Sequence, residues 1–210
     1  MAELIGIYGG TFDPVHLGHL RPALDVMQAL ELQQLRFVPN RQPPHRPQPW
    51  LDEVLRLRLL QLAIDEVPGF TLDTRELERD GPSYMVDTLT SLKQEFPDKT
   101  LCLIMGMDAF AGFSGWHDWQ GILALSHLVV TTRPGAELPP RGLMPPELLR
   151  CICTEGDRFH GAGGQILIQS VTQLDISATH IRRCLEQGKS IRFLVPETVR
   201  GELEQQYAIK

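Results

Sequence analysis

Apolar residues fall along this chain in two rhythms. Short runs at Leu4-Ile5-Gly6-Ile7-Tyr8, Leu35-Arg36-Phe37-Val38, Phe70-Thr71-Leu72-Asp73, Thr100–Met105, Leu128–Thr132 and Gln165–Gln169 read as strands. Between them leucines recur at helical spacing. Leu20, Leu24, Met27 and Leu30 mark a first helix, and Leu55, Leu59 and Leu62 a second over 51–67 that Pro68-Gly69 ends. Ser83 offers a cap for a helix running through Leu92 to about Phe96. A Ser177-capped helix closes at Gly188, and Pro196 opens a terminal helix through Tyr207. Strand, helix and strand in that order make a βαβ unit, hence a parallel sheet with right-handed crossovers. The run Thr100–Met105, the most strand-like in the chain, belongs at the sheet's centre. The expected fold is α/β, a doubly wound parallel sheet of Rossmann-like type with a small helical C-terminal part at about 177–210.

The connecting segments are less regular. Pro39 to Pro49 is proline-rich and basic, a stiff loop at the carboxyl end of a parallel strand and so a candidate lid. Glu76–Arg79 with Asp80-Gly81-Pro82 reads as a charged turn. From Ala136 to Gly164 proline and glycine dominate, with a short helix expected near Glu147–Arg150 and a flexible turn at Gly161–Gly164.

Composition narrows the picture. The chain has 210 residues and 42% hydrophobic content, enough for one domain with a proper core over 1–210. Its net charge of −6, with acids and bases interleaved, gives no support for a nucleic-acid partner. Any phosphate must therefore be held by a local cluster. The first residues lack a signal-peptide pattern and no run approaches a membrane span, so the expected location is the cytoplasm. Cys102, Cys151, Cys153 and Cys184 form no zinc pattern and are expected as reduced, buried thiols. Monomer and homodimer are both left open.

The chemistry concentrates in Tyr8-Gly9-Gly10-Thr11-Phe12-Asp13-Pro14-Val15-His16-Leu17-Gly18-His19, a glycine-rich turn between the first strand and the first helix. Such a turn exposes backbone N–H groups at the positive end of a helix, which suits an anion. His16 and His19 lie three residues apart, close enough to face one phosphate, and Gly18 lets a ligand approach the backbone. Neither G-x-x-x-x-G-K-[ST] nor G-x-G-x-x-G is present, so this is neither a P-loop nor a dehydrogenase fingerprint. A second helix start, Ile176-Ser177-Ala178-Thr179-His180-Ile181-Arg182, combines N–H groups, two hydroxyls and a guanidinium. Asp108, after Gly106 at a strand end, suits a ribose hydroxyl pair or else caps a helix. Trp116 is the candidate platform for a flat ring, Trp119 a packing residue, and Arg133 a cation at another strand end.

The H-x-G-H run with G-G-T-F-D-P before it closely resembles the signature of the nucleotidylyltransferase superfamily. The full run is similar to that of the bacterial nicotinate-mononucleotide adenylyltransferases. Asn40 with Pro43-Pro44-His45-Arg46 fits the family too, as does Ser83-Tyr84-Met85-Val86-Asp87-Thr88-Leu89, where Met85 replaces a usual threonine. So does Ile176–Arg182, where Ala178 replaces a serine. The resemblance implies direct attack of a nicotinate mononucleotide phosphate on the α-phosphate of ATP, with magnesium carried by the ATP phosphates. It assigns Gly9, Gly10, Thr11, Phe12 and Gly18 to the reacting phosphates, and His16, His19 and Arg182 to catalysis. It gives Ser177 and Thr179 to the outer phosphates and Gly106 and Asp108 to the adenosine. Asn40, His45, Tyr84, the Met85 backbone, Trp116 and Arg133 fall to the nicotinate nucleotide. Two other readings compete: a phosphopantetheine adenylyltransferase-like enzyme and a non-catalytic nucleotide sensor. Some tRNA synthetases share an H-x-G-H loop, but this chain has no K-M-S-K-S segment.

Overall fold

The computed structural model describes residues 3–41, 48–132, 144–153 and 159–207. In chain order they form β1 (Leu4–Gly10), α1 (Leu17–Ala29), β2 (Gln34–Pro39), α2 (Glu53–Ile64), β3 (Phe70–Leu72), α3 (Arg75–Glu78) and α4 (Met85–Glu95). There follow β4 (Thr100–Gly106), α5 (Met107–Ala111), α6 (Trp119–Leu125), β5 (His127–Thr132), α7 (Pro146–Arg150), β6 (Ile152–Cys153), β7 (Ile166–Ser170), α8 (Ala178–Glu186) and α9 (Glu197–Gln206). The strands make one parallel sheet ordered β3-β2-β1-β4-β5-β7-β6. β4 is central and fully buried up to Met105, as its run of Leu101–Met105 demands.

Both faces of the sheet are covered, because right-handed crossovers put helices on both sides. Successive residues of β4 alternate between the two cores. Cys102 and Ile104 join Val26 of α1, Leu59 of α2, Ile181 of α8 and Leu203 of α9. Leu101, Leu103 and Met105 join Leu89 of α4, Phe110 of α5, Ile122 of α6 and Leu148 of α7. Strand order reverses between β1 and β4, so the loops after Gly10 and Gly106 flank a crevice at the carboxyl edge. In doubly wound sheets that switch point is where ligands bind.

Several elements differ from the sequence reading. The second helix starts at Glu53, because Asp52 accepts the Leu55 N–H at 2.8 Å as its cap, and it ends at Ile64. Its buried stripe is Leu55, Arg56, Leu59, Leu60, Ala63 and Ile64, rotated from the Leu55, Leu59, Leu62 face. The expected charged turn contains α3, with Glu76 buried and accepting the Thr88 hydroxyl at 2.6 Å; burial raises its pKa. Ser83 does not cap α4. Tyr84 is the N-cap residue, and the Ser83 hydroxyl instead accepts the Arg41 N–H at 3.1 Å. Strand β6, two residues long, escapes a periodicity that needs four or more.

Within the expected turn at Gly161–Gly164, Gly161 and Gly164 adopt positive φ in open space, while Gly163 packs against the α6–β5 junction, where a Cβ would lie 2.7 Å from the Ala124 carbonyl. Cys102 and Cys184 are buried as expected, whereas Cys151 and Cys153 are half-buried. Among the described residues no helix is long and apolar enough to cross a membrane.

Candidate active site

The strand β1 ends in two glycines and the chain turns sharply, with Phe12 in the left-handed region at φ 48°. Its ring is buried, with centroids 5.9 Å from Tyr8, 5.9 Å from Phe37 and 5.3 Å from His19. This aromatic anchor lets a non-glycine residue hold a strained conformation. The Asp13–Pro14 peptide is cis.

His16 is the N-cap residue of α1, and its backbone N–H donates to Nδ1 of His19 at 3.3 Å. An accepting Nδ1 leaves the neutral imidazole's proton on Nε2, ready to be donated to an anion. The two rings stack with centroids 3.7 Å apart and planes 24° from parallel. Burial lowers the His16 pKa to about 4, so this imidazole is neutral at pH 7. Gly18 permits the arrangement: a Cβ there would stand 3.0 Å from His16 Nδ1 and 3.1 Å from the Ile176 carbonyl. One first-turn donor expected to face phosphate is taken, since the Leu17 N–H bonds the Leu194 carbonyl at 3.0 Å.

The Ile176–Arg182 motif closes on this loop from the far end of the chain. Ser177 caps α8 by accepting the His180 N–H at 3.2 Å. One turn on, Arg182 donates to the Asp13 carbonyl at 2.6 Å and to the Thr179 hydroxyl at 3.1 Å. It also lies 3.4 Å from the Asp13 carboxylate. That carboxylate accepts the N–H groups of Trp50 and Leu51 at 2.8 Å each, so Asp13 ties three segments together. Sequence reasoning passed over Asp13, although it stands inside the motif. On the other flank Asn40 donates to the Thr11 hydroxyl at 3.2 Å, and its N–H bonds the Gly10 carbonyl at 3.0 Å.

Among the described residues, three buried side-chain polar atoms lack a partner: His16 Nδ1, Asn40 Oδ1 and Arg56 Nε. Asn40 and Arg56 each bond Thr11, and His16 ends the same loop. Buried polar atoms left unpaired are costly, so their gathering around one loop singles it out as the candidate site.

The rest of the crevice is formed by α4 and the segment after α5. Met85 begins α4, and its Cε lies against Gly9, 2.6 Å from where a Cβ would stand. The side chain is therefore spent on packing, and what Met85 can present to a ligand is its first-turn N–H. The Tyr84 ring lies against His117, centroids 4.2 Å apart and planes tilted by 30°, a partner the sequence does not single out. Trp116 and Trp119 are both half-buried and pack edge-on against Phe113 at 5.6 and 6.1 Å. Asp108 is exposed at the start of α5, where Gly106 is the N-cap position and no side-chain cap bond forms. Its carboxylate is thus not a helix cap. His45 and Arg133 lie outside the described residues.

A parallel sheet whose switch-point loop carries paired imidazoles, closed by a guanidinium from a late helix, defines a nucleotidyltransferase class. The Cytidylyltransferase-like family matches residues 7–184. A relative from Methylococcus capsulatus, named "Probable nicotinate-nucleotide adenylyltransferase", is 48% identical over 202 residues, covering 93% of this chain and 94% of its own. One of the same name from Hydrogenovibrio crunogenus is 49% identical over 198 residues, covering 94% and 93%. The chain belongs to the cytidylyltransferase-like family and, within it, to the nicotinate-nucleotide adenylyltransferases. The fold agrees with the Plasmodium falciparum nicotinic acid mononucleotide adenylyltransferase solved with NaAD. That structure gives a TM-score of 0.72 at 15% identity, covering 99% of this chain and 98% of that one.

Proposed function

We infer that this protein joins ATP and nicotinate mononucleotide to give deamido-NAD and pyrophosphate, the adenylyl-transfer step of NAD biosynthesis. The observation that carries this is the closure of α8 on the first loop, where Arg182 bonds the Asp13 carbonyl at 2.6 Å. That contact sets two phosphate-binding helix starts side by side, enough donors for a triphosphate.

In the reaction a phosphate oxygen of nicotinate mononucleotide forms a bond to the α-phosphorus of ATP. The bond from that phosphorus to the bridging oxygen breaks, and its electron pair leaves with pyrophosphate. The nucleophile is already an anion, so alignment and charge neutralisation do the work and no strong base is needed. The Nε2–H of His19 and the ring of His16 address the α-phosphate as negative charge builds there. Gly9, Gly10, Thr11, Phe12 and Gly18 supply close backbone approach. Arg182, Ser177 and Thr179 steady the departing pyrophosphate, and Gly106 and Asp108 hold the adenosine. Asn40, Tyr84, the N–H of Met85 and Trp116 receive the nicotinate nucleotide, together with His45 and Arg133. The donor set of imidazole, guanidinium and N–H groups suits the phosphate oxygens and not a cation, so magnesium would enter as MgATP, held by non-bridging phosphate oxygens and water, and would neutralise the phosphates' charge. We take residues 1–210 as one catalytic domain acting on small molecules in the cytoplasm.

The test is pyrophosphate release with MgATP and, separately, nicotinate mononucleotide, nicotinamide mononucleotide or phosphopantetheine. Fast release with the first supports the reading. Release with phosphopantetheine alone reassigns the acceptor. ATP binding without turnover on any acceptor favours a sensor.

A further inference from the structure

Arg56 is among the largest fully buried side chains in the protein, 2% exposed on a helix whose other buried positions are apolar. Its Nη1 donates to the Thr11 carbonyl at 2.7 Å and its Nε has no partner. Among the described residues no carboxylate comes within ion-pair distance. Asp13, Glu53 and Asp52 act on it only from further away, and burial lowers its pKa. A buried cation so loosely compensated is a poor device for stability, because desolvation outweighs what one carbonyl returns. Its placement has a different logic.

The peptide joining Thr11 to Phe12 is trans, so its C=O and N–H point in opposite directions. Holding the Thr11 carbonyl toward Arg56 therefore turns the Phe12 N–H the other way, away from the side on which Arg56 lies. Phe12 is the residue with φ 48°, a conformation that needs external support. Asn40 bonds the side chain of the same Thr11 at 3.2 Å, so Arg56 and Asn40 grip one residue by carbonyl and hydroxyl.

We propose that Arg56 is a positioning residue for the nucleotide's phosphates. It fixes the Thr11–Phe12 peptide so that the Phe12 N–H is presented to them, and it sets a positive charge directly behind the loop. The proposal rests on the adenylyl-transfer reading, but ATP binding tests it with or without turnover. A guanidinium that served only the fold would, when removed, lower stability and leave nucleotide affinity alone.

The experiment compares wild type, Arg56→Met, Arg56→Gln and Arg56→Lys by thermal unfolding with and without MgATP, and by steady-state kinetics. In Arg56→Met the melting temperature without nucleotide should hold or rise, since an apolar side chain of similar length removes a buried charge. Its MgATP-induced shift should shrink, and KM for ATP should rise about tenfold or more while KM for nicotinate mononucleotide stays within about twofold. Arg56→Lys keeps a charged donor and should recover part of the affinity, and Arg56→Gln, a neutral donor, less. Unchanged ATP affinity in every folded variant overturns the proposal, as does an equal rise in both KM values. If Arg56→Met fails to fold, the Gln and Lys variants carry the same comparison. Should wild type form no deamido-NAD, the adenylyl-transfer reading fails while the binding shifts still decide the role of Arg56.

Discussion

The imidazole rings of His16 and His19 stack with centroids 3.7 Å apart, and the backbone N–H of the first bonds Nδ1 of the second at 3.3 Å. The first residue thus sets the tautomer of the other, and His19 carries its proton on Nε2. Replacing His19 with alanine should lower kcat by roughly 10²–10³-fold, the usual effect of losing one transition-state donor, with little change in melting temperature. Single-turnover measurement at saturating substrates checks it. Near-wild-type turnover would remove His19 from the mechanism.

Gly18 controls the same pair. An alanine Cβ at 3.0 Å from His16 Nδ1 and 3.1 Å from the Ile176 carbonyl must push one of them aside. A shift of a few tenths of an ångström in the paired imidazoles misaligns the reacting centre without opening the core, so Gly18→Ala should lower kcat, by less than about 10²-fold, more than it lowers stability. The comparison of kcat with the urea midpoint decides it.

Burial gives the protein an acid-sensitive stability. His16 has its pKa lowered to about 4, and burial lowers His127 as well. Between pH 4 and about 6.5 the unfolded chain binds protons that the folded chain refuses. The His16 contribution is therefore fully present above pH 6.5 and is lost as pH falls toward 4, on the order of 3 kcal/mol, and His127 acts in the same direction. His16→Gln should flatten the fall of the urea midpoint across that window. An identical slope in wild type and variant would contradict the burial argument.

Asp13 links the loop to Trp50, Leu51 and Arg182. Removing its carboxylate in Asp13→Ala leaves two backbone N–H groups without their acceptor and Arg182 without its counter-charge. The expected loss is about 2–4 kcal/mol of unfolding free energy, together with a higher KM for ATP. Equilibrium urea unfolding and ATP titration of turnover measure both. If the midpoint falls but KM holds, Asp13 serves the fold alone.

What the chain determined by itself is the local part of this protein. The H-x-G-H loop, the Ser177 cap and the central strand Thr100–Met105 are read from neighbouring residues, because backbone geometry and hydrophobic period act over a few positions. The middle and C-terminal helices were legible to within a turn or so for the same reason. Arg56 was not legible, since in one dimension it looks like a solvated charge beside Leu55, and only the packing of α2 against the sheet rotates it beneath Thr11. Glu76 reads in sequence as part of a charged turn, and its burial is not legible because its partner, Thr88, sits on the next helix. His117 joined the site only when its ring met Tyr84. Tertiary structure also decided that Arg182 reaches Asp13, 169 positions away along the chain. A hydrophobic pattern says which faces are buried. It carries no record of which polar groups meet once those faces close, and in this protein that meeting makes the site.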